Sequence, residues 1–418
     1  MGMMSQHFDV VVIGMGLSGL MAAKTAAESG QKVLIVGKGM GSLCLFSNTI
    51  DVLGFPPLAG SKAMKMKDAL SQWIKDHPEH PYSKLGLERT EEALSSFLSL
   101  FPPPYSFHTM DGTNCLLPTG AGTFRPTYLV PATMIEATSF DEGRTLVVGF
   151  EGFKDFYAHY VADQLKCRGI SLRLPDPFYQ ERTATALARL MEKQSFRENI
   201  GREIRKQLQS ETRVGFPALL GMHDPTQVKE ELEEIMGTKV FEIPILPPSI
   251  PGKRIFDRFK EWLPRQGVTF LMGYPVSKAI VAEKRCQAIE VIRPPVITSY
   301  SAKRFILATG RFMGGGLKAD SEKILEPVFN LSVHQPPSRE GWFGKSFFGD
   351  LPHPIHQAGV LTNASFQPVD EGGNVILENV WVAGSVLAHH HCIEEKSKEG
   401  IEISTGYMAA RYALGVCK

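Results

Sequence analysis

Apolar and polar residues follow one another along the chain in a pattern that predicts strands and helices in turn. Residues 9–13 are an apolar, β-branched run that is too short for a helix, which indicates a buried parallel strand. Small residues at 20–27 predict a helix that ends at Gly30, and residues 32–36 form a second apolar run. The N-terminal pattern is therefore strand, helix, strand.

The turn between the first strand and the helix has the spacing G-x-G-x-x-G. Gly14 makes the tight turn, Gly16 lets a phosphate approach the backbone, and Gly19 lets the helix pack closely on the strand. The strand before this turn and the helix after it favour a dinucleotide-binding site. The acidic residue that usually holds a ribose is absent, because Gly37 and Lys38 stand at the end of the second strand. Either another group holds the ribose, or the ligand lacks an adenosine half.

Two later segments favour a flavin over a nicotinamide cofactor. A meander of short predicted strands begins at residues 267–271, continues at 279–282 and 288–292, and leads to an apolar run that ends in Thr309 and Gly310. This order resembles the second signature of two-dinucleotide flavoproteins. Gly384 and Ser385 follow another apolar run and resemble the last signature of these proteins, although Ser385 replaces the usual Asp.

The last predicted helix, residues 400–414, begins at Gly400. We expect its N-terminus to lie against the flavin pyrimidine and to stabilise the negative charge that develops there on reduction. A polar loop after the second strand carries hydroxyl and amide groups that are expected to surround the cofactor. The predicted cofactor-binding residues are Gly14, Gly16, Gly19, Lys38, Ser42, Ser47, Asn48, Thr309, Gly310, Gly384, Ser385 and Gly400.

The pattern changes in a long insertion, where charged stretches such as 182–211 predict solvated helices. The predicted fold class is α/β, a Rossmann-like FAD/NAD(P)-binding fold with an inserted α+β cap domain. The predicted flavin-binding domain is discontinuous and comprises residues 1–60, 276–320 and 355–418. The predicted cap comprises residues 61–275 and 321–354, and the domain junction is expected to hold the substrate.

Four residues are candidates for substrate chemistry. Arg125, in a segment rich in small polar residues, and Arg254, after a proline-rich stretch, could each bind an anion. His353 and His356 precede the last predicted flavin strand and could take a hydroxyl proton as hydride moves to the flavin. The alternative for each is a surface arginine or an ordinary loop histidine. Residues 389–392 contain three histidines and a cysteine, but adjacent side chains point in different directions, so no metal site is predicted.

Composition narrows the functional classes. The chain has 45 basic and 44 acidic residues, which argues against a dedicated nucleic-acid-binding protein. Six cysteines lack C-x-x-C spacing, which argues against an iron–sulfur or zinc site in this chain. The longest uncharged stretches fall short of the roughly 20 residues that a membrane helix needs. We therefore expect a cytoplasmic protein.

Segments spread over the chain resemble the B subunit of the anaerobic glycerol-3-phosphate dehydrogenase family. They are residues 10–20, 46–53, 215–221, 241–254, 308–310, 359–363 and the region of Gly384. The resemblance implies oxidation of sn-glycerol 3-phosphate to dihydroxyacetone phosphate, with electrons passing toward quinone. It implies FMN as the cofactor, with FAD as the alternative. It also implies an FAD-carrying catalytic subunit and an iron–sulfur subunit that anchors the pair at the inner face of the cell membrane.

Three other functions stay open at this point. The chain could be a flavin electron relay without substrate chemistry, because the partner subunit could do that chemistry. It could be a fumarate-reductase-like or amino-acid-oxidising flavoenzyme, whose substrate is usually a carboxylate. It could also be a scaffold with a degenerate flavin fold, since Gly37 and Ser385 depart from the flavoprotein pattern.

Overall fold

Strands and helices alternate in the computed structural model, which describes residues 6–54, 64–174, 182–346, 349 and 352–416. The strands are β1 (Gln6–Ile13), β2 (Val33–Gly37), β3 (Phe107–His108), β4 (Cys115–Pro118), β5 (Phe124–Thr127), β6 (Val130–Pro131), β7 (Thr145–Phe150), β8 (Arg168–Leu172), β9 (Arg213–Pro217), β10 (Lys239–Ile243), β11 (Thr269–Met272), β12 (Val276–Ala282), β13 (Arg285–Arg293), β14 (Val296–Leu307), β15 (Lys318–Ala319), β16 (Ile324–Leu325), β17 (Val333–His334), β18 (Gly359–Val360) and β19 (Val380–Val382). The helices are α1 (Leu17–Glu28), α2 (Met66–Asp76), α3 (Pro81–Leu85), α4 (Leu87–Leu98), α5 (Ala158–Gln164), α6 (Ala184–Met191), α7 (Gln194–Gln207), α8 (Pro225–Met236), α9 (Ile250–Arg265), α10 (Cys392–Glu395) and α11 (Lys398–Leu414). Within these ranges, no helix is both long enough and apolar enough to cross a lipid bilayer.

A seven-stranded sheet carries the G-x-G-x-x-G turn. Its order is β11-β2-β1-β14-β13-β12, and β19 also pairs with β14. Strands β2, β1, β14 and β19 run parallel to their neighbours, whereas β12, β13 and the first half of β14 form an antiparallel meander. The apolar runs of β1 and β2 are buried, as expected for strands covered on both faces. The carboxyl ends of β1, β14 and β19 therefore meet at one edge of the sheet.

Strand β11 corrects one sequence prediction. The segment at 267–271 was expected to begin the meander, but β11 instead pairs in parallel with β2 at the edge of the sheet. The prediction was wrong because α9, which precedes β11, packs against both α1 and β11, so the chain enters the sheet beside β2 and not beside β12. The meander itself begins at β12.

The last helix packs against the first one. A Cβ added at Gly406 of α11 would lie 2.3 Å from the carbonyl oxygen of Ser18 in α1, so the two helix backbones approach closely. Helix α11 begins at Lys398, two residues before the predicted start. This packing brings the C-terminal helix beside the G-x-G-x-x-G turn.

A second apolar core surrounds a four-stranded parallel sheet of order β10-β9-β7-β8. Helices α5 to α8 belong to this part of the chain, and α6 and α7 lie within the stretch 182–211 that was expected to be helical. Residues 153–168 also have the pattern of a helix that ends at Gly169, but the helix in this stretch, α5, is shorter than that pattern predicts.

The buried residues of this second core extend from Leu117 to Ile250, which differs from the predicted cap boundaries. Helices α2, α4 and α9 place buried residues in the first core, although the sequence interpretation assigned them to the cap. Residues 324–342 also contribute to the first core. The reason is that α4 packs against α11 and α9 packs against α1, contacts that an amphipathic pattern does not specify.

Candidate flavin site

The turn after β1 leaves space for a phosphate in front of α1. Gly14 has a φ of +118°, and a Cβ there would lie 2.1 Å from the carbonyl oxygen of Ala308. A Cβ at Gly19 would lie 2.0 Å from the carbonyl oxygen of Gly14. A Cβ at Gly16, in contrast, would meet no atom within 4 Å. Helix α1 has no side-chain cap and no acidic residue in its first turn, so neither offsets the positive charge of this helix end, which favours an anion.

The end of β2 carries a cation where many dinucleotide sites carry a carboxylate. Lys38 is exposed, and a Cβ at Gly315 would lie 2.9 Å from its Nζ atom. Lys38 therefore reaches the turn that follows β14. Gly37 faces Met15, whose Cγ atom would be 3.0 Å from an added Cβ.

The loop after β2 is fastened to the start of α9 through Asn48. This residue is fully buried with a φ of +58°, and its Nδ2 atom donates to the carbonyl of Leu43 (2.7 Å) and the hydroxyl of Ser249 (3.1 Å). The hydroxyl of Ser47 lies 3.2 Å from that of Thr49. The amide nitrogen of Asn48 thus holds the loop in shape, whereas its Oδ1 atom is buried and has no hydrogen-bond partner among the described residues, so its predicted cofactor contact stays a prediction.

The ends of β14 and β19 lie side by side. A Cβ at Gly310 would be 3.7 Å from the hydroxyl of Ser385, and a Cβ at Gly384 would be 2.3 Å from the hydroxyl of Ser18. The Thr309 hydroxyl is buried and has no hydrogen-bond partner among the described residues. The structure therefore brings Thr309, Gly310, Gly384 and Ser385 to the edge where the phosphate turn lies.

Arg311 joins the loops around this edge, and the sequence interpretation missed it. Its guanidinium donates to the carbonyl oxygens of Ser385 (2.6 Å), His390 (2.8 Å) and His356. The side chain of Arg311 thus positions segments that lie 45 to 79 residues further along the chain. The available signal was its place directly after Thr309 and Gly310.

A buried charge cluster lies at the start of α11. The Nζ atom of Lys398 is 3.2 Å from Oε1 of Glu399 and 3.2 Å from Oε2 of Glu402. Asp51 pairs with Arg125, whose side chain is 30% exposed. Burial, together with the nearby charge of Glu399, raises the pKa of Asp51 to about 7, against the effect of Arg125. Burial also raises the pKa of Glu402.

This cluster revises what was expected around Gly400. A Cβ at Gly400 would lie 2.2 Å from the hydroxyl of Tyr82 and 2.8 Å from the Cα of Val52, so packing accounts for this glycine. The charged residues beside it were missed, although the signal was visible: Lys398, Glu399 and Glu402 interrupt an otherwise apolar helix. Arg125 reaches this cluster through Asp51, and Ser42 reaches it through a hydrogen bond to Glu402. That hydrogen bond offsets only part of the rise in the pKa of Glu402 that burial causes.

Arg254 does not join the other candidates. It lies in α9 and makes two hydrogen bonds of 2.7 and 2.8 Å to the carboxylate of Glu242, with both side chains buried. Its Nε and Nη2 atoms donate to the carbonyl of Gly221 at 2.9 and 2.7 Å. Although burial opposes ionisation, Arg254 holds the pKa of Glu242 below its usual range. The expected phosphate ligand is thus engaged in a contact between α9 and the second core.

The two candidate histidines lie close to each other and to His391. The ring centroids of His353 and His356 are 5.9 Å apart, and those of His356 and His391 are 4.6 Å apart. Burial lowers the pKa of His356, and the neighbouring His391 and Arg311 lower it further. The lowered pKa of His356 favours its neutral imidazole form. Across the described ranges, no group of three or more His, Cys, Asp or Glu side chains is arranged to hold a metal ion.

Comparison with known proteins identifies the family. The family described as FAD binding domain matches residues 9–401. The B subunit of the probable anaerobic glycerol-3-phosphate dehydrogenase of Halobacterium salinarum is 32% identical, over 98% of each chain. The chain belongs to this B-subunit family. The B subunit of the Vibrio cholerae enzyme is 30% identical over 98% of this chain and 97% of its own. Among solved structures, 3-ketosteroid Δ1-dehydrogenase from Sterolibacterium denitrificans aligns over 99% of this chain and 100% of its own, with 12% identity and a TM-score of 0.46.

Membership in the B-subunit family confirms the resemblance and the α/β FAD-binding fold class. It supports a flavin cofactor and flavin oxidoreductase chemistry, and the designation of these relatives as B subunits implies a multisubunit complex. The open space at Gly16, the uncapped start of α1 and the unused Thr309 hydroxyl fit the phosphate and polyol end of such a cofactor. The cofactor roles of the individual residues stay predictions.

Proposed function

We propose that this chain is a flavin-dependent subunit in the oxidation of sn-glycerol 3-phosphate to dihydroxyacetone phosphate, with the electrons passing toward quinone. The observation that carries the proposal is the similarity, over 98% of the chain, to proteins named as B subunits of anaerobic glycerol-3-phosphate dehydrogenase. The uncapped, open start of α1 supports the flavin part of this proposal. The proposed location is cytoplasmic, with peripheral attachment to the membrane through a partner.

The proposed cofactor is FMN. The support is the end of β2, where Gly37 and the exposed Lys38 replace the carboxylate that would hold an adenosine ribose. FAD held by other groups is the alternative. Chromatography of the chromophore released from the purified protein separates the two, and release of FAD would overturn this part.

The proposed substrate contacts use Arg125 and the two histidines. Arg125 would bind the phosphate by a charge-assisted hydrogen bond after turning away from Asp51. His356, or His353 beside it, would accept the proton of the C2 hydroxyl, because a neutral imidazole can act as a general base. A bound flavin would accept the hydride from C2, which balances the two-electron oxidation.

The proposed partners are an FAD-carrying catalytic subunit and an iron–sulfur subunit that anchors the pair at the membrane. The support is the designation of the relatives as B subunits, which implies other subunits. Copurification of the chain with its neighbours from native membranes, followed by assay for flavin and iron, tests this part.

The function is tested with the purified chain alone. Anaerobic addition of glycerol 3-phosphate should bleach the flavin absorbance, and a dye acceptor should restore it. Arg125→Gln should raise the substrate concentration needed for half-maximal bleaching at least tenfold. Arg202→Gln, at an exposed pair with Glu198, serves as the matched control and should change nothing.

An electron relay is the second candidate. It is favoured by the ion pairs of both predicted phosphate ligands, since Arg125 binds Asp51 and Arg254 binds Glu242. A relay would contain flavin but show no bleaching by glycerol 3-phosphate until the catalytic partner is added. That result would overturn the assignment of substrate chemistry to this chain.

A further inference from the structure

The hairpin between β13 and β14 ends in an exposed apolar tip. Ile292, Val296 and Ile297 are 38, 58 and 55% exposed. The turn between the strands is formed by two exposed prolines, Pro294 and Pro295. Ile292 pairs with Ile297 across the hairpin, so these two side chains lie on one face, and Val296 lies on the other. The exposed apolar side chains therefore occupy both faces of the tip, and the proposed flavin and substrate contacts use none of them.

The turn has few hydrogen-bond donors to lose on leaving water. Pro294 and Pro295 carry no backbone N–H group, so two donors of an ordinary turn are missing here. An N–H group that leaves water without finding a new partner costs free energy. This turn therefore enters an apolar medium more easily than a turn without proline would.

A cation and an aromatic ring lie directly behind the tip. The guanidinium of Arg293 lies 5.2 Å from the ring centroid of Tyr274, and its Nη1 atom donates to the Tyr300 hydroxyl at 3.1 Å. Within the described ranges Arg293 has no acidic partner, and its neighbours are these two tyrosines. At a membrane surface, tyrosine rings favour the headgroup level and arginine favours the anionic phosphate groups.

The strands around the tip carry an excess of positive charge. Strands β12 to β14 contain five cationic residues and one acidic residue. The acid, Glu290, lies 3.5 Å from Lys278. Two further cations pair with acids of other segments, which leaves an excess of two positive charges. This excess attracts a surface that contains anionic lipids.

The exposed apolar surface of the tip is too small for a stable protein interface. Burying a valine or isoleucine side chain removes roughly 60–120 Å² of apolar surface, so the three side chains supply at most about 360 Å². A stable interface needs about 800 Å² from each partner. Behind the tip the surface becomes polar, since Lys278 is exposed and Thr298 and Ser299 are half-buried. A lipid surface, in contrast, needs only the side chains that enter it.

We propose that this hairpin tip inserts into the interfacial layer of a membrane that contains anionic lipids. Ile292, Val296 and Ile297 would enter the boundary between headgroups and acyl chains, and Arg293 would lie at the level of the phosphate groups. Three inserted side chains give weak and reversible binding, so the tip orients the chain on a membrane and does not anchor it alone. This contact needs neither substrate nor a partner subunit, so it stands independently of the proposed function.

Cosedimentation of the full flavin-loaded chain with lipid vesicles tests the proposal. The chain should bind vesicles of phosphatidylcholine and phosphatidylglycerol, and it should bind pure phosphatidylcholine several-fold more weakly. Val296→Asp should lower binding to the anionic vesicles at least tenfold, and Arg293→Gln should lower it several-fold. Leu246→Asp is the matched control, because Leu246 is 52% exposed and lies outside this hairpin, and it should bind as the wild type does.

Four outcomes would overturn the proposal. They are no binding of the wild type to the anionic vesicles, equal binding by wild type and Val296→Asp, an equal loss in Leu246→Asp, and a wild-type dimer that Val296→Asp converts to a monomer without lipid. The last result, from sedimentation equilibrium, would assign the tip to a contact between copies. Circular dichroism and flavin content of each variant confirm that the fold is retained. Oxidation of glycerol 3-phosphate is measured separately and without lipid, so its failure would not be confused with failure here.

Discussion

The buried ion pair between Arg254 and Glu242 makes a quantitative prediction about stability. Glu242 accepts four hydrogen bonds: two from Arg254, one from the Thr133 hydroxyl at 2.6 Å and one from the Leu220 amide at 2.8 Å. Arg254→Met removes the first two and leaves a carboxylate with no exposed surface beside an apolar side chain. Breaking such a pair by removing one partner costs about 3–5 kcal/mol of the free energy of unfolding.

The pH dependence of this loss has a defined sign. In the wild type, Arg254 keeps the pKa of Glu242 low, so the stability that the carboxylate contributes is present near neutral pH and is lost as pH falls through that pKa. In Arg254→Met, burial without the cation should raise the pKa of Glu242 instead. The folded variant then takes up a proton as pH falls, and its deficit relative to wild type should shrink between about pH 8 and pH 5.

Urea unfolding followed by circular dichroism measures both effects. The double variant Glu242→Gln with Arg254→Met removes the unpaired charge, so it should recover at least about 2 kcal/mol of the loss. Arg202→Met, which breaks an exposed pair with Glu198, should cost no more than about 0.5 kcal/mol. A loss for Arg254→Met below about 1 kcal/mol that does not change with pH would refute the assignment of Arg254 to a buried structural pair.

Three further predictions concern the candidate site. Gly16→Asp places a carboxylate in the open space before α1 and should abolish flavin binding without unfolding the protein, as judged by flavin absorbance at equal protein concentration. The control Gly143→Asp, whose added side chain also meets no neighbouring atom, should keep the flavin. Equal flavin content in both variants would refute the phosphate site. Binding of a phosphate at Arg125 should release Asp51, whose pKa is about 7, and so take up a proton. The KM for glycerol 3-phosphate should therefore fall as pH is lowered from about 8.5 to about 7, and Asp51→Asn should flatten this dependence; a flat wild-type profile contradicts the linkage. In Arg311→Lys, the single ammonium group cannot bind three carbonyl oxygens at once. The variant should therefore keep its flavin but have a kcat at least tenfold lower. An unchanged kcat would refute the positioning role of Arg311.

The parts of the fold that follow from local patterns could be predicted from the sequence. The strand, turn and helix around Gly14, Gly16 and Gly19 appear as expected, because each glycine answers a steric requirement within a few residues. The ends of β14 and β19 also meet at the predicted edge, since parallel strands of one sheet share the direction of their carboxyl ends.

The parts that depend on the choice of packing partner could not be predicted in this way. The amphipathic pattern of α4 shows that it has an apolar face, but not that this face meets α11 in the first core. The residues of β11 have the composition of a strand, but only the position of α9 decides that β11 joins β2. Boundaries between domains depend on such contacts.

The roles of charged residues are the least visible in the sequence. Arg254 follows a proline-rich stretch and looks like an accessible anion ligand, yet Glu242, twelve positions earlier, reaches it from another element. Lys398 and Glu399 look like the solvated start of a helix but are buried. In each case the deciding fact is burial, which depends on the three-dimensional arrangement of the whole chain.

The close packing of α11 on α1 has a consequence for when the cofactor can be captured. The phosphate turn is formed by residues near the N-terminus, and the ribosome makes it first. Its walls, β19 and α11, are made last, and Gly384 and Gly406 must both reach Ser18 before the edge is closed. If the predicted cofactor residues hold the flavin, we expect it to be captured only after residues up to Leu414 have been synthesised, and a chain stalled before β19 should leave the turn exposed without a flavin.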